Sequence, residues 1–477
     1  MPKLFVLMGL LLLFPVLMVI PNPADAKYLH CFLVPAVFSA AFGLALGLIS
    51  ARLGTGKKPI TLQRDSLIVV AVWFYAFVLG AVPFYLSGML DWLQSIFESV
   101  SGWTTSGFTV VKVEEVPKIF LFYRSFMQFC GGLGFVLLML LIASGADAMR
   151  LFSAEGHPDK LEANLRGTAR LMMLIYLGLF VGGSLLYMCF GMGWFDAVNH
   201  CMSAIATGGF STHSDSIGYF NSLPIEIITV ALMLLGATNF AVFALLIKRK
   251  FRAARRVGEL RFFGVFLTIA VLALAVLGLG GVYASFGKSL RVTLFQAVSG
   301  VTTTGLSVDS LTGWRPDMTL IMILLMIIGG GSGSTAGGLK YSRVYILSVS
   351  FINTLRRKFL PERAVYVTTV HTARGPKSLG DRQLLAVHHF ALIYLVTLFA
   401  GTLLLTFNGV PLQTALFDFA SSLSTTGYTD GLTSIGADHY ILTVQIIGMI
   451  LARLEIYIIY VALAAGVRGA HRAIKQG

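Results

Sequence analysis

Ser101-Gly-Trp-Thr-Thr-Ser-Gly-Phe-Thr109 is the first of four near-copies of one nonapeptide. The others are Ser203-Ala-Ile-Ala-Thr-Gly-Gly-Phe-Ser211, Ser299-Gly-Val-Thr-Thr-Thr-Gly-Leu-Ser307 and Ser421-Ser-Leu-Ser-Thr-Thr-Gly-Tyr-Thr429. Aligned, they read Ser-x-x-[Thr/Ala/Ser]-Thr-x-Gly-[Phe/Leu/Tyr]-[Ser/Thr]. The aligned glycines, Gly107, Gly209, Gly305 and Gly427, lie 102, 96 and 122 residues apart. A fourfold repeat of this length in a hydrophobic chain predicts four similar units around one axis. A Thr-x-Gly turn in each unit predicts four backbone loops meeting there, which is the plan of a cation filter.

The surroundings of the repeats fix the class. The chain has 477 residues, 56% of them hydrophobic and 12% charged, with a mean hydropathy of +0.81. A soluble chain carries about 25% charged residues, so this is a polytopic membrane protein. The net charge of +14 sits in short loops between apolar runs. That is the pattern of cytoplasmic anchoring, not of nucleic-acid binding. Cys31, Cys130, Cys189 and Cys201 have no metal-ligand spacing and read as packing residues. At the N-terminus, Leu4–Ile20 is followed by Ala24-Asp25-Ala26. A retained helix is the favoured reading and a cleaved signal the alternative.

The expected fold is all-α, with ten transmembrane helices and four re-entrant pore helices of pseudo-fourfold symmetry. Two extra helices occupy residues 1–50, at about 4–20 and 31–50. Pore repeats follow at 66–143, 169–247, 260–352 and 385–466. Their re-entrant stretches, Asp91–Trp103, Asp196–Ile205, Leu290–Val301 and Leu412–Leu423, are too short to cross a bilayer, which takes about 20 helical residues. Irregular backbone at membrane depth is tolerated only against protein or water, so the turns after them line a cavity. With the N-terminus inside, 27 Lys/Arg fall in cytoplasmic segments and seven in outer loops, Arg124 among the seven, while Lys340 and Arg453 lie within the membrane. This bias puts both termini inside and the re-entrant segments on the outer side.

A dehydrated cation needs oxygens in place of its water, and backbone carbonyls supply them if successive residues turn them one way. That requires positive φ, which glycine adopts freely. No filter position carries a charge, which suits a monovalent cation better than Ca²⁺ or Mg²⁺. Glu98, His200, Gln296 and Asp418 each lie nine residues before a filter glycine. Two readings stand for them: braces of the filter, or groups facing the outer vestibule. Asp91, Glu114, Glu115, Asp215, Asp430 and Asp438 either concentrate cations outside or are ordinary solvated loop residues.

Gly329-Gly330-Gly331-Ser-Gly333-Ser-Thr-Ala-Gly337-Gly338 interrupts the second helix of the third unit. The following Gly338-Leu-Lys340 breaks a phosphate-loop pattern. Close helix packing and a mobile intramembrane segment, the loop 329–340, are the two readings. Arg453 lies in the last span, an intramembrane charge of the kind that marks function or pairs with a distant acceptor.

These motifs together resemble the TrkH/Ktr/HKT superfamily of potassium transporters over essentially the whole chain, and the two extra N-terminal spans resemble its TrkH branch. The resemblance implies K⁺ as the transported ligand, with no organic cofactor and no enzymatic activity. K⁺ would be held by carbonyls of Thr104-Thr105, Ala206-Thr207, Thr302-Thr303 and Ser424-Thr425, beside Gly107, Gly209, Gly305 and Gly427. In some plant relatives a serine replaces the first glycine and favours Na⁺; here it is Gly107. Gly329, Gly330, Gly331, Gly333, Gly337, Gly338 and Lys340 would form a gating loop, with Arg453 as an electrostatic barrier. The family's arginine usually follows glycine, whereas Ala452 precedes it here. The resemblance further implies a homodimer in the lipid of the bacterial inner membrane, with a TrkA-like cytosolic nucleotide-binding subunit. The alternatives are the channel-like subunit of a K⁺-transporting P-type ATPase, or a less selective Na⁺/K⁺ transporter. Alternating access would need inverted repeats, and these units share one orientation.

Overall fold

The computed structural model of the chain describes residues 2–52, 62–134, 165–359, 368–373, 375–454, 456 and 459–460. Two helices lead, α1 (Pro2–Leu13) and α2 (Leu29–Arg52). They lie close because small residues face the contact: a Cβ on Gly9 would come 2.6 Å from the Ala36 carbonyl oxygen. Ser39 ties the pair to the first repeat, donating to the Phe5 carbonyl and bonding the Tyr75 hydroxyl, both at 2.7 Å. Asp25, in the stretch where a cleavage site was conceivable, is buried and accepts the Ile119 amide at 3.0 Å.

Four repeats follow. The first comprises α3 (Leu62–Leu86), the pore helix α4 (Trp92–Trp103) and α5 (Lys118–Leu133). The second comprises α6 (Leu165–Cys189), the pore helix α7 (Trp194–Ile205), α8 (Leu223–Gly236) and α9 (Phe240–Ile247). A short helix α10 (Phe251–Arg255) leads to the third repeat: α11 (Gly258–Gly278), the pore helix α12 (Phe286–Val301), α13 (Pro316–Ile328) and α14 (Tyr341–Arg357). The fourth has α15 (Asp381–Phe407), the pore helix α16 (Leu412–Ser424) and α17 (His439–Arg453). The pore helices run 12 to 16 residues. At 1.5 Å per residue they reach at most about 24 Å, short of a bilayer core of about 30 Å.

The pore helices sit deep because each first helix makes room. A glycine stands 26 or 27 residues before every filter glycine, at Gly80, Gly183, Gly278 and Gly401. A Cβ at these positions would collide with Ser99, Cys201, Ser289 and the Phe419 ring respectively. Asp91 and Gln94 close a capping box on α4, and Ser285 caps α12.

Several expectations change. Six helices are long and apolar enough to cross a membrane among the described residues, and α8 with α9 would make a seventh but for a 101° bend. An unbroken span over 222–247 is therefore replaced by two helices. The bend has a cause: the freed carbonyls of Gly236 and Ala237 accept amides from Thr335 and Gly331 at 3.3 and 2.9 Å. The expected second helix at 119–143 is seen to Leu133 and that at 440–466 to Arg453; residues 135–143 of the first and 455, 457–458 and 461–466 of the second lie outside the described residues. The fold is not wholly α. Strands β1 (Thr368–Thr372) and β2 (Gly375–Leu379) form an antiparallel hairpin between α14 and α15, with Val370 opposite Lys377. The run Thr-Thr-Val-His-Thr has the β-branched composition that favours this. Cys31, Cys130 and Cys201 are buried, whereas Cys189 is exposed.

Arg124 is not in an outer loop. It lies on α5, 1% exposed, with Nε 2.6 Å from Oε1 of fully buried Glu98. This pair joins the first pore helix to its second helix. Removing one partner leaves a buried charge alone, which costs about 3–5 kcal/mol. Arg124→Met is expected to lower the unfolding temperature in detergent sharply, and Glu98→Gln/Arg124→Met to recover most of the loss. Equal losses in both variants would contradict the pairing.

Candidate cation filter

Each pore helix ends in the same hydrogen-bonded turn. The amides of Ser106, Gly208, Thr304 and Thr426 donate back to the carbonyls of Ser101, Ser203, Ser299 and Ser421 at 2.8–2.9 Å. The residue before each, Thr105, Thr207, Thr303 or Thr425, donates to Gly102, Ala204, Gly300 or Ser422 at 3.1–3.2 Å. This is a Schellman closure, which needs a left-handed residue. Here that residue is threonine, with φ of 59°, 51°, 53° and 56°. A β-branched residue in that region is an outlier held by its surroundings. Two residues on, the four glycines have φ between 81° and 87°. Left-handed residues at alternate positions turn successive carbonyls toward one side, the requirement for ligating a bare cation.

The four segments close into a ring. A Cβ on Gly107 would run into the Gly208 carbonyl oxygen of the second repeat. One on Gly209 would meet the Thr304 oxygen, one on Gly305 the Thr426 oxygen, and one on Gly427 the Ser106 oxygen. Each repeat thus abuts the next, and the fourth returns to the first. Glycine is required twice at each position, by φ and by space.

The polar residues nine places before the glycines brace the ring. Glu98 accepts the Thr109 hydroxyl at 3.0 Å and the Val110 amide at 3.2 Å. Nε2 of His200 bonds the Ser211 hydroxyl at 2.9 Å. Gln296 donates to the Asp309 carbonyl and accepts from the Tyr428 hydroxyl, both at 2.6 Å. Asp418 accepts the Thr429 hydroxyl at 2.6 Å and the Asp430 amide at 2.9 Å. All four are fully buried. Of the two readings, the geometry is that of bracing.

On one side of the ring lies a vestibule of about 850 Å³ lined by all four filter glycines. Glu114, Glu115, Asp215 and Asp309 line it too. Hydrogen bonding from Ser214 holds the Glu114 carboxyl below its ordinary range, so it stays ionised in the mouth. Asp91 and Asp438 are not among the residues lining the vestibule; they cap α4 and α17.

On the other side the glycine-rich stretch folds back against the filter. The Gly337 amide donates to Thr303 Oγ1 at 2.7 Å. The Thr335 hydroxyl lies 3.1 Å from both the Ile205 carbonyl oxygen and Thr207 Oγ1. A Cβ on Gly337 would meet the Ser424 carbonyl oxygen. Three repeats therefore hold the tip of a loop that belongs to the third. Arg453 ties it further, donating to the Thr335 carbonyl at 3.2 Å and to the Gly131 and Gly132 carbonyls at the end of α5. A cation at a helix C-terminus is favourably placed. Lys340, at φ 75°, donates to the Ala336 carbonyl. A cavity of about 60 Å³ opens here, lined by Lys340, Arg343 and Arg453 together with Thr425 and the loop, and the described lining residues include no carboxylate.

A family model for TrkH, a cation transport protein, matches residues 37–467. The chain belongs to the TrkH family. The Trk system potassium uptake protein TrkH of Escherichia coli (strain K12) is 33% identical over 444 residues, covering 89% of this chain and 90% of that protein. The protein of that name from Vibrio parahaemolyticus is 32% identical over 475 residues, covering 96% and 97%. The crystal structure of the potassium transporter TrkH from Vibrio parahaemolyticus superposes with a TM-score of 0.82 at 29% identity, over 97% of this chain and 98% of that one.

In this TrkH-family chain the structure brings Thr104, Thr105, Ala206, Thr207, Thr302, Thr303, Ser424 and Thr425 together with the four glycines, and packs the glycine-rich loop and Arg453 beneath them. Sequence reasoning missed Gln128 on α5. Its side chain donates to the Gly208 carbonyl and accepts the Phe210 amide at 3.2 Å. A fully buried glutamine in an apolar helix was the available signal. The loop makes a direct test possible. An added methyl in Gly337→Ala overlaps the Ser424 carbonyl and should displace the tip. The Gly331, Thr335 and Leu339 amides are then expected to exchange hydrogen faster than in the wild type. Unchanged exchange would mean that the tip tolerates the methyl in place.

Proposed function

We infer that this chain is the membrane subunit of a Trk-type system, taking up potassium ions across the bacterial cytoplasmic membrane. The observation that carries the reading is the closed ring of four glycines, each seated against the next repeat's carbonyl. It supplies neutral oxygens from four directions and no carboxylate. That suits a weakly hydrated monovalent cation. The names of the relatives, Trk system potassium uptake proteins, support potassium as the ion and uptake as the direction.

In this reading K⁺ gathers in the vestibule, drawn by Glu114 and Asp215. It sheds water onto carbonyls of Thr104-Thr105, Ala206-Thr207, Thr302-Thr303 and Ser424-Thr425. The pore helices point their C-terminal, negative ends at the ring. Entry to the cytoplasm requires the loop 329–340 to leave its seat, because its tip bonds the filter threonines from below. Arg453 and Lys340 add a positive barrier in a tight cavity. A partner that binds the displaced loop conformation more strongly would shift the equilibrium toward conduction. A TrkA-like cytosolic nucleotide-binding subunit is that partner in this reading, and the protein works as a homodimer in the inner membrane with both termini cytoplasmic. The bias of Lys/Arg toward one set of loops supports that orientation.

The test is ⁸⁶Rb⁺ uptake into proteoliposomes holding the full chain, with K⁺ or Na⁺ competing. K⁺ should block uptake at far lower concentration than Na⁺, and Gly107→Ser should narrow that difference by roughly tenfold or more, since both space and φ oppose the new side chain. Equal competition by the two ions in the wild type would overturn the reading.

A further inference from the structure

The ring is nearly fourfold, but its bracing is not. In three repeats the residues on either side of the left-handed threonine carry hydroxyls that pair. Thr104 Oγ1 lies 2.8 Å from Ser106 Oγ, Thr302 Oγ1 lies 2.8 Å from Thr304 Oγ1, and Ser424 Oγ lies 2.7 Å from Thr426 Oγ1. Each pair clips the filter turn behind its threonine and is buried. Ala206 and Gly208 stand at these positions in the second repeat, so the clip cannot form there.

Gln128 occupies the gap. It comes from α5 of the first repeat, and its amide carbon, oxygen and nitrogen fill the place that a side chain on residue 208 would take: a Cβ on Gly208 would collide with them. Its Nε2 donates to the Gly208 carbonyl, and its Oε1 accepts the Phe210 amide at 3.2 Å. One turn earlier on α5, the Arg124 guanidinium lies 4.1 Å from the Phe210 ring centre. The second filter segment is thus held from behind by a neighbouring repeat at the point where the other three carry their own hydroxyl clip.

We propose that Gln128 is the specificity-determining positioning residue of the second filter segment, replacing the hydroxyl clip that Ala206 and Gly208 lack. It touches no ion. It fixes the Gly208 peptide, whose carbonyl oxygen is the one against which Gly107 seats, and so sets the junction between the first two repeats. Without it, a buried carbonyl and a buried amide lose their partner, and the segment is free to move by the fraction of an ångström over which a carbonyl cage loses its preference for one ion. The proposal rests on the potassium-filter reading for its functional consequence, but its structural half stands apart from it.

The exchange is testable because it is reciprocal. In the ⁸⁶Rb⁺ assay with the full chain, Gln128→Ala should reduce K⁺-over-Na⁺ discrimination by roughly tenfold. Gly208→Ser alone should also reduce it, since the new side chain meets Gln128. Combining Gln128→Ala with Ala206→Ser and Gly208→Ser should restore discrimination to within about threefold of the wild type, because the hydroxyl clip then has both its partners and its space. A glutamine that only fills volume would not be rescued by two small hydroxyls in the filter turn of another repeat. The second readout is amide hydrogen exchange at Phe210, expected to be slow in the wild type, fast in Gln128→Ala and slowed again in the triple variant. Wild-type discrimination in folded Gln128→Ala, or a triple variant no better than Gln128→Ala in both assays, would overturn the proposal. If the wild type itself shows no K⁺ preference, the filter reading fails, and the exchange pattern alone then decides whether Gln128 holds the segment.

Discussion

The structure depends on one steric constraint: there is no room for a Cβ where each repeat meets the next. Four glycine Cα atoms seat against four carbonyl oxygens in a closed cycle. Closure of the cycle requires every repeat to deliver its turn at the same depth. The Schellman ends of the pore helices do this, with threonines forced into the left-handed region. Strain of about 1–3 kcal/mol per such residue is tolerable only because the pore helices are locked behind it. The lock consists of the first-helix glycines that let them sink, and the buried groups at Glu98, His200, Gln296 and Asp418 that tie each helix to the extended segment after its turn.

Around this symmetric centre the chain breaks its own symmetry. Among the described residues, only the third repeat folds a glycine-rich loop under the ring. Besides Thr303 of its own repeat, that loop bonds the other repeats: Gly236 and Ala237 at the end of α8, and Arg453 in the fourth. The loop satisfies the carbonyls exposed by the bend in α8, so moving the one exposes the other. The proposed gate thus draws on every repeat, and the proposed barrier, Arg453, is also the residue that fastens it.

Much of this was legible in the sequence, for physical reasons. The nonapeptide repeat was visible because each turn needs the same glycine and the same threonine. The re-entrant helices were visible because their length cannot span a bilayer. The loop showed as six glycines in ten residues. The bend between α8 and α9 was not legible: its cause is a hydrogen-bond partner almost a hundred residues away, at Gly331 and Thr335, while the local sequence reads as one apolar span. Arg124 was misplaced because a charge near a helix start looks like a loop residue until its buried partner, Glu98, is known. Gln128 was missed because its meaning lies in what the second repeat lacks. The alignment already contained Ala206 and Gly208 where the others carry hydroxyls, but not what replaces them. The short β-hairpin escaped a reading that weighed the stretch between the third and fourth repeats by its positive charge.

The central claim is that four backbone segments jointly ligate one dehydrated monovalent cation on the axis of the ring. The most direct measurement is anomalous diffraction from crystals of the full chain grown in Rb⁺. The expected result is a strong peak on the axis, within about 3 Å of carbonyl oxygens from all four repeats. A peak confined to the carboxylates of the vestibule, or contacts from only one or two repeats, would contradict the account.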